Sequence, residues 1–268
     1  MNVRVVFRGG VGDYFLWLTR MVKILQFHKD DNVSLAICAP WSDAIRVWSE
    51  RIKGRKFDSI DVVPYGRPVP PHSMDCAFLA QDLIYYCDLW RGDRGANSVD
   101  GSLHSANSVF HHVGRDIYPE LDIPGDGIGG TCVQVQGRSV GNVGQPSWWK
   151  QVLHKFPGPI RLLGQMPRPA HEYGADAHVT GPVAIYSAIK SAHAFVGIDS
   201  GFRNIAFTLK VPVLEIETPA AGYPNKDVFS PVQYRSRTRY ADESITSVKM
   251  RLAEFNYLIA ARLQELSE

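Results

Sequence analysis

Two glycine turns carry the polar groups most able to handle a reacting ligand. The first, Gly9-Gly10-Val11-Gly12-Asp13, follows the β-branched run Val3 to Phe7 and precedes Phe15, Leu18, Val22 and Leu25 at helical spacing. Glycine lacks a Cβ, so the backbone of such a turn can approach a ligand closely, and Asp13 delivers a carboxylate to the helix start. On the residues alone, that carboxylate reads as an N-cap, with a ligand-facing role as the alternative. The second turn, Asp199-Ser200-Gly201, joins the apolar run Ala194 to Ile198 to a helix beginning at Phe202. There the amides of Ser200 and Gly201 would face a crevice, and the Ser200 hydroxyl could donate to a diphosphate oxygen. For an isolated D-S-G, helix capping is the default reading.

Other side chains suggest less. The first turn reads G-G-x-G-D rather than G-x-G-x-x-G, and no acidic residue clearly ends the second strand, which argues against nicotinamide binding. No D-x-D occurs in the sequence, so a metal-bridged diphosphate is disfavoured, and cationic side chains with helix amides would have to neutralise it. Cys38, Cys76, Cys87 and Cys132 form no C-x-x-C pair and read as buried free thiols. His111-His112 reads as surface or interface rather than as a metal site, and Trp148-Trp149 as core. Tyr85, Tyr86, Trp90 and Arg91 can stack on a base or sugar ring, or can close a lobe interface. Arg51 to Lys56 and Arg235 to Arg239 are basic clusters, solvated loops by default and a local patch beside an active site as the alternative.

The elements that hold these turns alternate. After the first strand and helix come a strand at Val33 to Cys38, an amphipathic helix at Trp41 to Ile52, and strands at Ile60 to Val63 and Cys76 to Leu79. Asp88 to Ser108 reads as a long loop and Ser105 to Asp116 as a helix. Ile123 to Gly130, dense in Gly and Pro, reads as a linker. The rhythm then restarts with strand Cys132 to Gln136, helix Trp148 to Lys155, strand Ile160 to Leu163 and helix Val183 to Ser191. Strand Ala194 to Ile198, helix Phe202 to Leu209 and strand Val211 to Ile216 follow. A one-striped helix runs from Ile245 to Leu266. This alternation predicts α/β architecture with parallel sheets in two lobes, 1–124 and 125–268.

The bulk numbers fit ordinary globular folding. The chain has 268 residues, 45% of them hydrophobic and 21% charged, and a formal net charge of +2, too small to imply nucleic-acid binding by itself. The apolar stretches are too short for a membrane span. The start, MNVRVVFRGG, reads as a strand rather than as a signal peptide, so a cytoplasmic location is expected.

Taken in order, Gly12-Asp13, Leu162-Leu163-Gly164, Thr180-Gly181-Pro182, Val196-Gly197-Ile198-Asp199-Ser200-Gly201 and Lys210-Val211-Pro212-Val213 resemble the ADP-heptose:lipopolysaccharide heptosyltransferase family and its relatives. The resemblance covers most of the chain and implies a GT-B-like fold, two Rossmann-like lobes with parallel sheets flanking a central cleft. It implies an inverting glycosyltransferase with a nucleotide-diphosphate sugar as co-substrate, no cofactor and no metal. By the same resemblance Asp13 is the general base, Gly12, Ser200 and Gly201 lie against the donor, and Asp199 orients the nucleotide sugar or its loop. Gly137-Arg138-Ser139 falls at a further phosphate-contacting loop, where Arg138 can stabilise the departing nucleotide. Relatives usually carry His where Asn204 stands, and a basic residue before the tryptophan at Gln145 to Trp149. The chain is also short for the fold, which implies a trimmed or altered acceptor lobe.

The acceptor expected from the resemblance is a glycan or lipopolysaccharide core. A hydroxylated base in DNA is the rival, since basic loops and exposed aromatics can grip a backbone and a flipped base. A nucleotide-binding module without catalysis is a further alternative, and a dehydrogenase the least favoured.

Overall fold

The computed structural model describes residues 1–63, 83–88, 120–137, 141–142, 146–166, 168–198, 200–217, 236–239, 260 and 264. The chain divides into two compact units, Met1–Asp122 and Ile123–Glu268.

The first unit is built on strands β1 (Asn2–Arg8), β2 (Asn32–Ile37), β3 (Ser59–Val62) and β4 (Leu83–Asp88), with helices α1 (Val11–Phe27) and α2 (Ser42–Ser49). All strand pairs are parallel, in the order β3-β2-β1-β4. β1 and β2 bury Val3, Val5, Val6, Phe7, Val33, Leu35, Ala36 and Ile37, the mostly apolar make-up expected of a parallel sheet covered on its faces, with Arg4 and Ser34 as buried polar interruptions. The apolar stripe of α1 packs Tyr14, Leu18, Met21 and Leu25 inward. Tyr14 stacks on Trp48 of α2 with centroids 6.1 Å apart, and its hydroxyl shares a 3.0 Å hydrogen bond with the Ser49 hydroxyl. That hydroxyl in turn donates to the Ile45 carbonyl at 2.8 Å, so this buried polar pair is satisfied within the core.

The second unit has strands β5 (Thr131–Gln134), β6 (Gln136–Gly137), β7 (Gly141–Asn142), β8 (Ile160–Leu163), β9 (Ala177–Val179), β10 (Ala194–Ile198), β11 (Val213–Glu217) and β12 (Ser236–Arg239). Its described elements also include helices α3 (Pro146–Leu153), α4 (Pro182–Ser191) and α5 (Gly201–Thr208) and a short 3-10 helix at Ala170–Tyr173. Six strands form a sheet in the order β12-β11-β10-β5-β8-β9, every pair parallel, while β6 and β7 make a small antiparallel pair. Trp149, Val152 and Leu153 of α3 pack with Val133, Leu162 and Val196 as the core, in agreement with a core role for Trp149.

Several boundaries differ from the sequence reading. α2 begins at Ser42, not Trp41, and α3, α4 and α5 each start one or two residues before the expected position. β9 (AHV) and β12 (SRTR) are too short and too polar to show an apolar period, so the Arg235 to Arg239 cluster contains an edge strand rather than only a loop. Tyr85 and Tyr86 lie in β4, in register with Val5 and Val6. The expected strand Cys76 to Leu79, the helix Ser105 to Asp116, nearly all of the Asp88 to Ser108 loop, His111-His112 and most of the C-terminal helix lie outside the described residues.

The Gly- and Pro-rich segment 123–130 is a strap fastened to the second unit. The Lys190 ammonium donates to the Ile123 carbonyl at 3.0 Å, and the Ser187 hydroxyl to the Pro124 carbonyl at 2.6 Å. The Gly127 amide donates to the Ser191 hydroxyl at 2.9 Å. Asp126 meets the buried Arg161 guanidinium at 2.5 Å, and that guanidinium also donates to the Ala188 carbonyl at 2.8 Å. Glycine here serves close packing: at Gly130, with φ +75°, a Cβ would stand 2.1 Å from the Pro159 carbonyl oxygen. Gly127, with φ +71°, has open space instead. Gly130→Ala is therefore expected to cost the second unit about 3 kcal/mol or more, against about 1 kcal/mol for Gly127→Ala, which meets only the left-handed backbone penalty. Urea unfolding of both variants checks the ranking; equal costs would contradict it.

Candidate functional site

In a parallel sheet the chain enters each strand from the same edge, so all βα turns collect at the carboxyl edge. Ligands bind where adjacent strands send their chains in opposite directions. In the first unit that switch point lies between β1, whose chain goes on to β2 and β3, and β4. Arg8 and Asp88 are in backbone register at this edge, and the Gly9 to Asp13 turn starts there.

Within the turn Gly10 is the N-cap, in extended conformation, and Asp13 sits at the third helical position. The reading of Asp13 as the cap itself is thus corrected. The carboxylate reaches back, and the Gly10 amide donates to its Oδ2 at 2.6 Å. This is the return half of a capping box, which fixes the rotamer of the side chain. Gly9, with φ +154°, makes the geometry possible: a Cβ there would lie 2.7 Å from both the Cβ and Oδ2 of Asp13. Asp13 is half-buried, as is Gly12. The Gly10 contact thus orients the carboxylate within its own turn.

The neighbouring turn, after β2, arrives at the same edge. The Cys38 amide donates to the Phe7 carbonyl at 2.9 Å, extending the β1–β2 ladder beyond its last paired residues. Trp41 then caps α2 in the left-handed region, φ 65° and ψ 28°, without a side-chain cap bond, and is 52% exposed. For a bulky residue that backbone costs about 1–3 kcal/mol.

In the second unit the switch point lies between β5, which leads to β8 and β9, and β10, which leads to β11. Ser200 caps α5 there, and its hydroxyl accepts from the Arg203 amide at 3.4 Å. The same hydroxyl donates to Oε1 of Gln134, the last residue of β5. The Gln134 amide nitrogen donates to the Gln136 carbonyl at 2.9 Å, which settles the orientation of the carboxamide and hence the direction of the Ser200 proton. Gly197 lets β10 approach here, since a Cβ would lie 2.9 Å from the Gln134 carbonyl oxygen. Gly164, with φ +87°, backs the start of α5, where the Phe202 ring would stand 3.1 Å from an added Cβ.

Gly137 follows at once on this edge as the end of β6, while Arg138, Ser139 and Asp199 lie outside the described residues, as do Trp90 and Arg91. Asn204 is buried on α5 and its carbonyl oxygen Oδ1 accepts from the Arg203 guanidinium at 3.3 Å. Gly12 and Asp13 are thus grouped in the first unit, and Gly137, Ser200, Gly201 and Asn204 in the second. Gln134 and Trp41 escaped the sequence reading. A polar residue closing an apolar strand was the available signal for Gln134, whereas nothing in the sequence marks the left-handed backbone of Trp41.

The Arg51 to Lys56 cluster does not form a patch at the carboxyl edge. Arg55 donates to the carbonyls of Lys29 and Asp31 at 2.9 and 2.5 Å and pairs with Asp58 at 3.0 Å, all beside the strand starts. Lys53 pairs with Glu120 at 2.6 Å, which holds its ammonium above the usual lysine range. Cys38 and Cys132 are free and buried as expected, and burial pushes the Cys132 thiol up to about 12, so it stays protonated at neutral pH. Among the described residues no group of three or more His, Cys, Asp or Glu is placed to hold a metal ion, and no helix is long and apolar enough to cross a membrane.

The Ser200–Gln134 link yields a stability prediction. Ser200→Ala loses both the cap and the link and is expected to cost about 1–2 kcal/mol. A double-mutant cycle with Gln134→Ala should show coupling of about 0.5–1 kcal/mol in denaturant unfolding. Additive effects would mean the two side chains act separately.

No protein-family model and no curated protein matches the sequence. Solved structures do match in shape. E. coli ADP-heptose lipopolysaccharide heptosyltransferase II superposes with a TM-score of 0.62 at 12% identity, covering 99% of this chain and 99% of that one. The E. coli heptosyltransferase WaaC with ADP gives 0.59 at 11% identity over 95% of this chain and 100% of that one. TibC, described as a bacterial iron-containing dodecameric glycosyltransferase from enterotoxigenic E. coli, gives 0.50 at 15% identity over 99% of this chain and 79% of that one. At these identities the likeness is one of fold, and with two parallel-sheet α/β units the chain has the GT-B-like architecture of the heptosyltransferases and related glycosyltransferases.

Proposed function

We propose that the chain is an inverting glycosyltransferase that moves a sugar from a nucleotide-diphosphate sugar to an acceptor hydroxyl, with a glycan or lipopolysaccharide core as acceptor. The observation that carries this reading is the pairing of fold with edge chemistry. Each unit brings a polar group to the switch point of its own parallel sheet, Asp13 in one and Ser200 in the other.

Asp13 is the general base: its carboxylate takes the acceptor proton as the hydroxyl oxygen attacks the anomeric carbon and the bond to the diphosphate breaks. The Gly10 amide holds the carboxylate in place during that transfer. The leaving diphosphate lies at the start of α5, where the first-turn amides and the positive end of the helix stabilise its charge. Ser200 donates to a phosphate oxygen only by releasing Gln134, so the amides make the first contact. Gly12, Gly137, Arg138, Ser139, Asp199 and Asn204 complete the donor site, with Arg138 as the cation. Asn204 hydrogen-bonds without carrying a proton near neutral pH. Tyr85, Tyr86, Trp90 and Arg91 belong to the acceptor side. The location is cytoplasmic.

Asp13→Ala is expected to lower turnover by about 10²–10⁴-fold while nucleotide-sugar affinity stays within about twofold. Retained turnover would remove Asp13 from this role. The donor is found by thermal shift across nucleotide sugars, and mass spectrometry of the products identifies the acceptor from glycans and from duplex DNA bearing a hydroxylated base. Transfer to DNA alone would replace the glycan reading, and donor binding without hydrolysis or transfer would indicate a binding module. Because amides and cationic side chains neutralise the diphosphate here, turnover should survive EDTA. A loss restored by added metal ion would reverse that assignment.

A further inference from the structure

We propose that Trp41 is a specificity-determining residue that stacks against the apolar face of an acceptor sugar ring. Three observations carry this. Trp41 is 52% exposed, one of the few large hydrophobic side chains among the described residues to be so, and it adds little to the core. Its backbone stands at φ 65° and ψ 28°, a conformation that glycine or asparagine would adopt at lower energy, and it makes no side-chain cap bond that would explain the choice of residue. It also ends the turn after β2, which runs beside the Gly9 to Asp13 turn: Phe7 and Ile37 are in register, and the Cys38 amide donates to the Phe7 carbonyl. Adjacent strands lie about 5 Å apart, so the two turns share one stretch of the carboxyl edge. Strained backbone and an exposed aromatic together at the edge of a parallel sheet where ligands collect are a functional feature rather than a packing one.

The surroundings select the kind of ring. The turn Cys38-Ala39-Pro40-Trp41-Ser42-Asp43 contains no basic residue, and the exposed Asp43 carboxylate would repel a phosphate backbone. A neutral pyranose, with an apolar face for the indole and hydroxyls for the solvent side, suits this turn better than a nucleic acid. The assignment rests on the transferase reading for the presence of an acceptor in the first unit.

The test uses the full chain, a neutral unphosphorylated oligosaccharide of pyranoses as probe, and the variants Trp41→Gly and Trp41→Phe. Saturation-transfer NMR should show oligosaccharide binding to the unaltered protein, with affinity reduced about tenfold or more by Trp41→Gly and mostly retained by Trp41→Phe. Trp41→Gly should melt no lower than the unaltered protein, because it relieves the backbone, and nucleotide-sugar affinity should not move. Oligosaccharide affinity unchanged in Trp41→Gly, no binding to the unaltered protein, or a Trp41 effect on DNA alone would each overturn the proposal. Trp41-dependent oligosaccharide binding without turnover of any donor would sink the transferase reading while leaving this one standing.

Discussion

Parallel strand direction is the constraint on which both units depend. A parallel pair cannot be closed by a hairpin, so each return to the amino edge requires a crossover, and each βα turn is delivered to the carboxyl edge. In both described sheets the strand order reverses once beside the first strand of the unit, between β1 and β4 and between β5 and β10. Chain paths diverge at those points, which in parallel sheets are where ligands generally bind. Asp13 and Ser200 stand at these reversals because each lies in the turn after a central strand.

Glycines then determine how tightly the backbone closes around those turns. Gly9 allows Asp13 to fold back over its own turn, and Gly197 allows β10 to lie close to the end of β5. The result is a pair of side chains that each meet a backbone group nearby in the chain: Asp13 the Gly10 amide, and Gln134, which also accepts from Ser200, the Gln136 carbonyl. Backbone partners in short turns move little, so such contacts preorganise a site at small entropic cost. Around the second unit the same close-packing use of glycine appears in the strap 123–130, where Gly130 lies against the Pro159 carbonyl. Flexibility and tight approach demand the same residue, and only the neighbours distinguish them.

The polar chemistry at the second turn reconciles two readings of Ser200. The hydroxyl is a helix cap, accepting from the Arg203 amide, and it also donates its single proton to Gln134. Both hydrogen-bonding roles of the hydroxyl are thus occupied, and the donor contact proposed for it would first break the bond to Gln134. Asn204 on the next turn is engaged with Arg203 inside the protein, which ties the buried guanidinium to the same helix.

Periodicity and turn chemistry in the sequence were enough to determine two parallel α/β units, the strands Ile160 to Leu163 and Ala194 to Ile198 to the residue, and the position of the two glycine turns after central strands. Apolar runs announce themselves because a doubly covered strand is mostly apolar, even with Arg161 buried inside β8, whereas β9 and β12 are short, polar and legible only through their partners. Tertiary structure alone decided the rest. It made Asp13 the third residue of its helix rather than the cap, drew the Arg51 to Lys56 cluster to the strand starts, and turned a glycine-rich linker into a strap. It also joined Gln134 to Ser200 and bent Trp41 into the left-handed region. These outcomes depend on which atoms meet across strands distant in sequence, and local propensity carries no record of such meetings.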